Sequence, residues 1–241
     1  MLRTRVYGES DKIVVFLSRD FGKFSAIAKG ALRSRRRFMN ALEPFTHVRL
    51  GFRTRPGADL AWVEWAEIVR PARNVTRDLD RYAYSIYVLE VIDCMVEGRE
   101  AEPAIFDLTD DLLREIDSTF PATLAHEILR RFEVRLLELT GFSPRLGGCS
   151  RCGLGVTATD EAFRFDPLLG TLLCSRCSDG SGMAVSAEAA STILRLGNGS
   201  ELPSLEGSLG AEVRVLLQTV IAHHVRRQLK SPALLRDILG L

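Results

Sequence analysis

The chain has 241 residues, of which 46% are apolar and 26% charged, and a formal net charge of +1. That composition suits a soluble protein with one large domain or two to three small ones. No apolar run approaches the roughly 20 residues of a membrane span, and Met1 leads straight into Leu-Arg-Thr-Arg, which is no signal peptide, so the expected location is the cytoplasm.

Residues 1–55 hold 13 Lys/Arg against 4 Asp/Glu, a net +9, and the remainder carries a net −8. Such asymmetry points to a polyanion partner for the front of the chain. Residues 2–69 read as short strands. Ile13 to Leu17 is a continuous apolar run, which fits a buried strand. Asp20-Phe21-Gly22-Lys23 reads as a hairpin turn with Gly22 at positive φ, and Phe24 to Lys29 as the returning strand. Phe45 to Phe52 and Leu60 to Val69 give two more, separated by Arg53-Thr-Arg-Pro-Gly-Ala. Five short strands in about 70 residues fit a small barrel of the oligonucleotide-binding kind, the OB-fold, although SH3-like barrels have a similar strand count.

Between the third and fourth strands lies Lys29-Gly30-Ala31-Leu32-Arg33-Ser34-Arg35-Arg36-Arg37-Phe38. Four arginines in five positions cannot be a core element. Guanidinium forks match phosphate oxygens, and Phe38 is placed to stack on a base. The bland alternative is a solvated loop without a partner. It is disfavoured because Arg3, Arg5, Lys12, Lys23, Arg53 and Arg55 fall in the same segment. No Gly-rich nucleotide-phosphate consensus is present, so ATP hydrolysis is not expected.

Pro71 ends the barrel, and from Thr76 the period becomes helical. Leu79, Tyr82, Ile86, Leu89, Ile92 and Val96 mark one face, with Gly98 at the C′ position and Cys94 a buried thiol. Pro103 and Pro121 are placed like first-turn prolines of the next two helices. Leu124, Ile128, Phe132, Leu136 and Leu139 form the stripe of the third helix, closed by Gly141. Ser186 reads as the N-cap of a helix ending near Gly197. A polar loop from Asn198 to Gly207 follows. Val213, Leu217, Val220, Ile221 and Val225 mark a further helix, and Ser231-Pro232 opens a last short one. His47, His126, His223 and His224 read as packing or surface residues. The acidic run from Asp78 to Asp117 reads as a solvated helical face rather than a metal site at Asp110-Asp111.

Set among these helices is Cys149-Ser-Arg-Cys152, then 21 residues, then Cys174-Ser-Arg-Cys177. Each C-x2-C curls into a knuckle that aims two thiolates at one point, and four sulfurs suit a tetrahedral structural zinc. With all four positions filled by Cys, no site is open for catalysis. The alternatives are four unrelated thiols or a pair of disulfides, the latter disfavoured by the expected compartment. Ala162 to Pro167 and Gly170 to Leu173 look like two strands of a ribbon with little core of its own, so that metal would supply folding free energy. Residues 145–181 carry four basic and four acidic residues. A neutral ribbon is a poor phosphate binder and is read as a brace between helices. The expected domains are a DNA-binding barrel over 1–72, a helical domain over 73–144 and 182–241, and the zinc ribbon over 145–181.

Several stretches together resemble the bacterial RecO family. They are Leu2 to Lys12, Phe21-Gly22-Lys23, Ala28-Lys29-Gly30-Ala31, the arginine run before Phe38, Leu42-Glu-Pro-Phe45, Leu139-Thr-Gly-Phe-Ser-Pro144, the four cysteines and Leu229-Lys-Ser231. The resemblance implies an N-terminal OB barrel, a helical domain and a zinc module. It implies a non-enzymatic recombination mediator that binds single- and double-stranded DNA at the nucleoid and anneals complementary strands. The implied partners are RecR and the C-terminal tail of single-stranded-DNA-binding protein, with RecA loading as the outcome. By position, the DNA surface would include Lys12, Lys23, Lys29, Arg33, Arg35, Arg36 and Arg37, and the metal ligands would be Cys149, Cys152, Cys174 and Cys177. Arg130, Arg131, Arg226 and Arg227 have the chemistry for the partner's carboxylate tail. Family members carry several residues before the segment matching Leu2, so the first strand is expected to be shortened. Two other functions compete with this one. A zinc-ribbon regulator reading specific sequence would need a basic helix in the major groove. A ligase or nuclease would need a nucleophilic lysine or a carboxylate cluster, and neither is visible.

Overall fold

A continuous apolar run in β2, alternation in β3 and tight turns carry the first 70 residues into five strands: β1 (Arg3–Tyr7), β2 (Asp11–Ser18), β3 (Gly22–Ala28), β4 (His47–Arg53) and β5 (Ala61–Arg70). This computed structural model describes residues 1–34, 36–55, 57, 60–119, 125–158, 162–200 and 205–239. Arg35, Pro121, Leu124, Asp160, Glu161 and parts of the loops around 56–59 and 201–204 lie outside them. The strands order as β1-β2-β3-β5-β4, antiparallel except for the β3–β5 pair. β3 shows the period of two plainly, with Phe24, Ala26 and Ala28 buried and Lys23, Ser25 and Ile27 on the other face. The buried face joins Val14, Phe16, Ala61, Val63, Phe38 and Leu42 in one cluster. Phe16, Phe24 and Phe52 meet there at ring-centroid distances of 4.9–5.8 Å. β1 and β4 are the two edges of this sheet, and no ladder closes it into a ring among the described residues. The chain at Met1 reaches the segment before β4: its carbonyl accepts from Phe45 N–H at 3.1 Å, and its amino group donates to the Thr46 carbonyl at 2.9 Å.

Gly22 has φ +75°, as the hairpin turn requires. A Cβ there would lie 2.2 Å from the Glu100 carbonyl oxygen, so the turn is also a close backbone approach.

The helices are α1 (Leu79–Met95), α2 (Pro103–Thr119), α3 (Ala125–Leu139), α4 (Ala187–Gly197), α5 (Gly207–His224) and α6 (Ser231–Leu239). Pro103 opens α2 as expected, and Ser186 caps α4 by accepting from Ala189 N–H. Gly141, at φ +76°, closes α3: its own N–H reaches Glu138 O, and Phe142 N–H reaches Leu137 O, a Schellman pair. Gly98, at φ +84°, stands two residues past the Val96 cap of α1 rather than one. The stripe expected on α1 is buried in its second half, at Leu89, Ile92 and Val96, but the buried surface is wider than that stripe and starts later. Leu79 and Tyr82 are exposed, while Tyr84, Tyr87, Val88, Val91, Cys94 and Met95 are buried. α1 is covered on several sides, so its apolar residues need no single face.

The chain forms two compact units. One comprises residues 1–120 and 229–240, so that α1, α2 and α6 accompany the sheet; the other comprises 121–228. In the first, α6 packs on α1. The Glu90 carboxylate accepts from the Lys230 and Ser231 N–H groups and the Ser231 hydroxyl, at 2.5–3.1 Å. This carboxylate satisfies free donors at the α6 N-terminus.

In the second unit, β6 (Arg145–Cys149), β7 (Phe163–Asp166), β8 (Thr171–Cys174) and β9 (Met183–Val185) form a sheet ordered β6-β8-β7-β9. β7 and β8 are the two anticipated ribbon strands; β6 and β9 enlarge it. The expectation of a nearly coreless ribbon is corrected. Leu146, Phe163, Phe165, Leu172 and Val185 are all at most 1% exposed, and α4 packs against β6. Two added strands and a helix give the ribbon apolar cover that two strands alone lack.

Candidate nucleic-acid interface and metal centre

The basic loop is held at both ends. At its start, Gly30 turns the chain at φ +67°, and the Asp11 carboxylate accepts from Gly30 N–H at 2.8 Å. That N–H bond first, and the Ser10 hydroxyl second, hold the Asp11 carboxyl below its ordinary value. Leu32 N–H donates to Ser10 O at 2.9 Å. At the far end, the Arg37 carbonyl accepts from Ala66 N–H of β5 at 2.9 Å, and Phe38 sits in the sheet's core at 2% exposure. The expectation that Phe38 stacks on a base is therefore overturned. Burying an aromatic ring is favourable by roughly 1.5–3 kcal/mol, and Phe38 is the large apolar side chain that can fasten the loop to the core. Between the anchors, Lys29, Arg33, Arg36 and Arg37 are exposed, and none has a carboxylate within ion-pair distance among the described residues. Arg37 donates to the Lys29 carbonyl at 2.7 Å and its N–H to Ser34 Oγ at 3.1 Å. The loop thus displays, at its described positions, cations without carboxylate partners between two anchored ends, which lowers the ordering cost of binding an anion.

Lys12 and Lys23 are engaged differently. Lys12 Nζ lies 2.6 Å from Glu43 Oε1. Lys23 Nζ donates to the Asp93 carbonyl at 2.6 Å and lies 3.6 Å from its carboxylate, which also holds Arg3 Nε at 3.0 Å. Both lysine side chains are less than a fifth exposed, so each tethers the sheet to a neighbouring segment.

Trp62 is the residue that sequence reasoning passed over. It stands on β5 between Ala61 and Val63, both buried, and so faces outward. Its backbone pairs with Ile27 of β3 and Arg53 of β4. Lys29 Nζ, Arg55 Cζ and Arg53 Cζ lie 4.5, 4.9 and 5.7 Å from the indole centroid. The available signal was a tryptophan at an outward position of an alternating strand, between two cation-bearing loops.

A cavity of about 570 Å³ opens between β2, β4 and α2, lined in part by Phe16, Phe52, Phe106 and Leu113. Its polar lining is engaged internally. Arg19 makes two bonds to Asp107, at 2.9 and 3.1 Å. Asp110 takes His47 Nδ1 at 2.8 Å and both ends of the Arg70 guanidinium. Burial pushes the Asp110 carboxyl up, but His47 and Arg70 together bring it well below the usual carboxylate range. Asp111 pairs with Arg114, so the adjacent aspartates are not joined in a metal site.

Of the arginines considered for a carboxylate tail, Arg130 is buried in an ion pair with Glu133 at 2.9 Å, with side-chain exposures of 5% and 0%. Arg131 holds Glu127 and the Leu196 and Ser200 carbonyls. Arg226 and Arg227 are exposed. His224 stacks on Phe142 at 4.1 Å, the packing role expected of it.

In the second unit, Cys149, Cys152, Cys174 and Cys177 place their sulfurs within 4.8 Å of one another. Cys149 ends β6 and Cys174 ends β8, so the sheet register brings the knuckles together. Gly153 N–H donates to Cys149 O at 2.9 Å, and Cys177 N–H to Cys174 O at 3.0 Å, closing each turn. Arg151 Nη1 ties one knuckle to the other through the Cys177 carbonyl at 2.8 Å. No disulfide joins them. Cys152 and Cys174 sulfurs are 3.6 Å apart, against about 2 Å for a disulfide. The edge of a sulfur tetrahedron around an ion bonded at 2.3 Å is about 3.8 Å, so the four side chains fit a tetrahedral divalent metal. Burial pushes the Cys149 thiol up, yet backbone N–H donors from Cys174, Cys152 and Arg151 bring it down to about 6. Cys177, hydrogen-bonded to Cys174 and also desolvated, is pushed up to about 12. One thiolate forms readily and the others crowd it, a conflict that a divalent cation relieves.

The comparisons with known proteins cover nearly the whole chain. The family model described as Recombination protein O N terminal matches residues 1–72, and that described as Recombination protein O C terminal matches residues 76–233. The DNA repair protein RecO of Symbiobacterium thermophilum is 35% identical over 237 residues, covering 96% of this chain and 92% of that protein. Those of Anaeromyxobacter dehalogenans and Myxococcus xanthus are 35% and 34% identical, covering 99% and 93% of this chain and 94% and 90% of theirs.

Proposed function

This chain belongs to the RecO family of DNA repair proteins, and from that membership we propose that it is a non-enzymatic mediator that binds DNA through the basic loop. The family assignment supports a role in DNA repair and recombination. The finer reading is that Lys29, Arg33, Arg35, Arg36 and Arg37 neutralise phosphates on two strands at once. Their mutual repulsion falls, and complementary bases can meet. Phosphate contacts carry no base information, so annealing is sequence-tolerant. Lys12, which pairs with Ala28 next to Lys29, contributes after exchanging Glu43 for phosphate, and Lys23, at the far end of β3, adds to the wider basic face. In this reading RecR and the tail of single-stranded-DNA-binding protein are the protein partners, and RecA loading is the outcome. On the same reading the sheet acts as an OB-type barrel over 1–72, and the helices over 73–144 and 182–241, though shared between the two compact units, serve as the helical domain. The cysteines hold a structural zinc over 145–181, where the metal fixes the two knuckles and takes no part in chemistry.

The observation that carries the reading is the anchored loop, whose guanidiniums have no carboxylate partners among the described residues. Changing Arg33, Arg35, Arg36 and Arg37 together to Ala tests it. Affinity for a plain oligonucleotide should fall at unchanged melting temperature, and strand annealing should fall with it. Equal affinity for wild type and variant removes the site.

A further inference from the structure

We propose that Trp62 is the seat for one unpaired base, and that it gives the basic face a preference for single-stranded over duplex DNA. The inference rests on the reading of this face as a DNA-binding surface and adds the element that a set of phosphate contacts lacks.

Three cations crowd one indole: Lys29 from the end of β3, Arg53 from the end of β4, and Arg55 from the loop that follows. They come from separate elements and repel one another. Of the three, Arg53 also meets a carboxylate, Glu64, at 3.1 Å. The electron-rich face of the ring partly offsets the charge, but a polyanion offsets it better. A shallow cavity of about 220 Å³ adjoins the ring, lined by Ile27, Lys29, Arg37, Arg53, Val63 and Glu64. That is below the roughly 300 Å³ at which pockets for drug-sized ligands begin, and it suits one flat ring rather than a whole nucleotide. A base that stacks on Trp62 displaces a cation from the indole face, and the displaced cation finds the phosphate on either side of that base. Stacking is indifferent to base identity because every base has a π-face. A duplex keeps its bases stacked on each other and offers only its phosphates.

In OB-type barrels, the reading adopted above for this sheet, the face of strands 2 and 3 and the loop between the last two strands receive oligonucleotides. Trp62 lies where these meet: it pairs with both β3 and β4, beside Arg53 and Arg55.

The test is binding of Trp62→Ala and Trp62→Phe to oligothymidine, to a duplex, and to an abasic oligomer of equal length. Trp62→Ala should bind oligothymidine about 10- to 100-fold more weakly and the duplex within twofold of wild type. Trp62→Phe should recover most of the loss, and wild type should bind the abasic oligomer as weakly as Trp62→Ala binds oligothymidine. A second readout leaves Trp62 in place. The chain has two tryptophans, so in Trp65→Phe the fluorescence of Trp62 alone is seen, and oligothymidine should quench it while the abasic oligomer should not. Equal losses on single strand and duplex, unchanged binding by Trp62→Ala, or equal quenching by the two oligomers overturns the base seat while leaving the arginine loop as the DNA site. Failure of wild type to bind any of the three overturns the DNA reading and the inference with it.

Discussion

Asp110 is gripped by His47 and Arg70, and it is only 22% exposed. Because its folded carboxyl lies below its unfolded value of 3.8, its contribution to stability is complete above that value. The contribution is lost as pH falls below about 4. Asp110→Asn should cost about 1–2 kcal/mol at pH 7, since the remaining exposure lets water screen the charge, and the loss should shrink toward pH 3. Urea midpoints at pH 7, 5 and 3 check this. Phe38 carries a different weight. Phe38→Ala should destabilise the first unit by about 3–5 kcal/mol and also release the arginine loop, read as faster proteolysis between residues 30 and 38. At this scale the sequence marked the arginines, because charge density needs no fold to be seen. It did not mark the role of Phe38: an aromatic residue beside arginines looks the same whether it faces a base or a core. Nor did it show that Lys12 and Lys23 meet Glu43 and Asp93, residues 31 and 70 positions away.

Secondary elements were legible where local chemistry sets them. Ser186 caps α4 and also donates to Glu212 Oε2 at 2.7 Å. Ser186→Ala should therefore cost about 1–2 kcal/mol, measurable as a shift in the denaturation midpoint. The strands of the first sheet announced themselves by the apolar run of β2, by turn signals and by Gly22. α1 did not do so fully, because a helix buried on several sides hides more than one stripe: Leu89 and Ile92 were marked, while Tyr84, Tyr87, Val88 and Val91 were not. Nor did β6 and β9, since Arg145-Leu-Gly-Gly-Cys149 and Met183-Ala-Val185 are too short to carry a period. Their presence changes what metal removal should do. With Phe163, Phe165 and Leu172 buried, chelation should leave the helical signal of α3, α4 and α5 largely intact. Hydrogen exchange should accelerate at 149–153 and 174–178. Metal analysis should return one zinc per chain, falling toward none in Cys174→Ser.

For the molecule as a whole, net charge conceals the division of labour. A front segment at +9 and a remainder at −8 sum to +1, so DNA binding should depend steeply on salt despite a near-neutral chain. Removing the four loop arginines should flatten the slope of log affinity against log salt by about 3 on single strands. A titration from 50 to 200 mM salt reads it directly. Among the described residues no helix is long and apolar enough to cross a membrane. What no local pattern could show is how the helices divide between the two units, since a helical stripe names a face and not the partner it meets.

The seating of α6 against α1, with Glu90 closing on Lys230 and Ser231, has a consequence for biogenesis. Residues 1–120 leave the ribosome long before residues 229–240, yet they share one unit with them. The first unit must wait, with the α1 surface that α6 will cover still wet, until the second has been synthesised. The order of completion during translation is then the reverse of the order of appearance. Glu90→Gln, or a nascent chain stalled before residue 229, should linger in a protease-sensitive state.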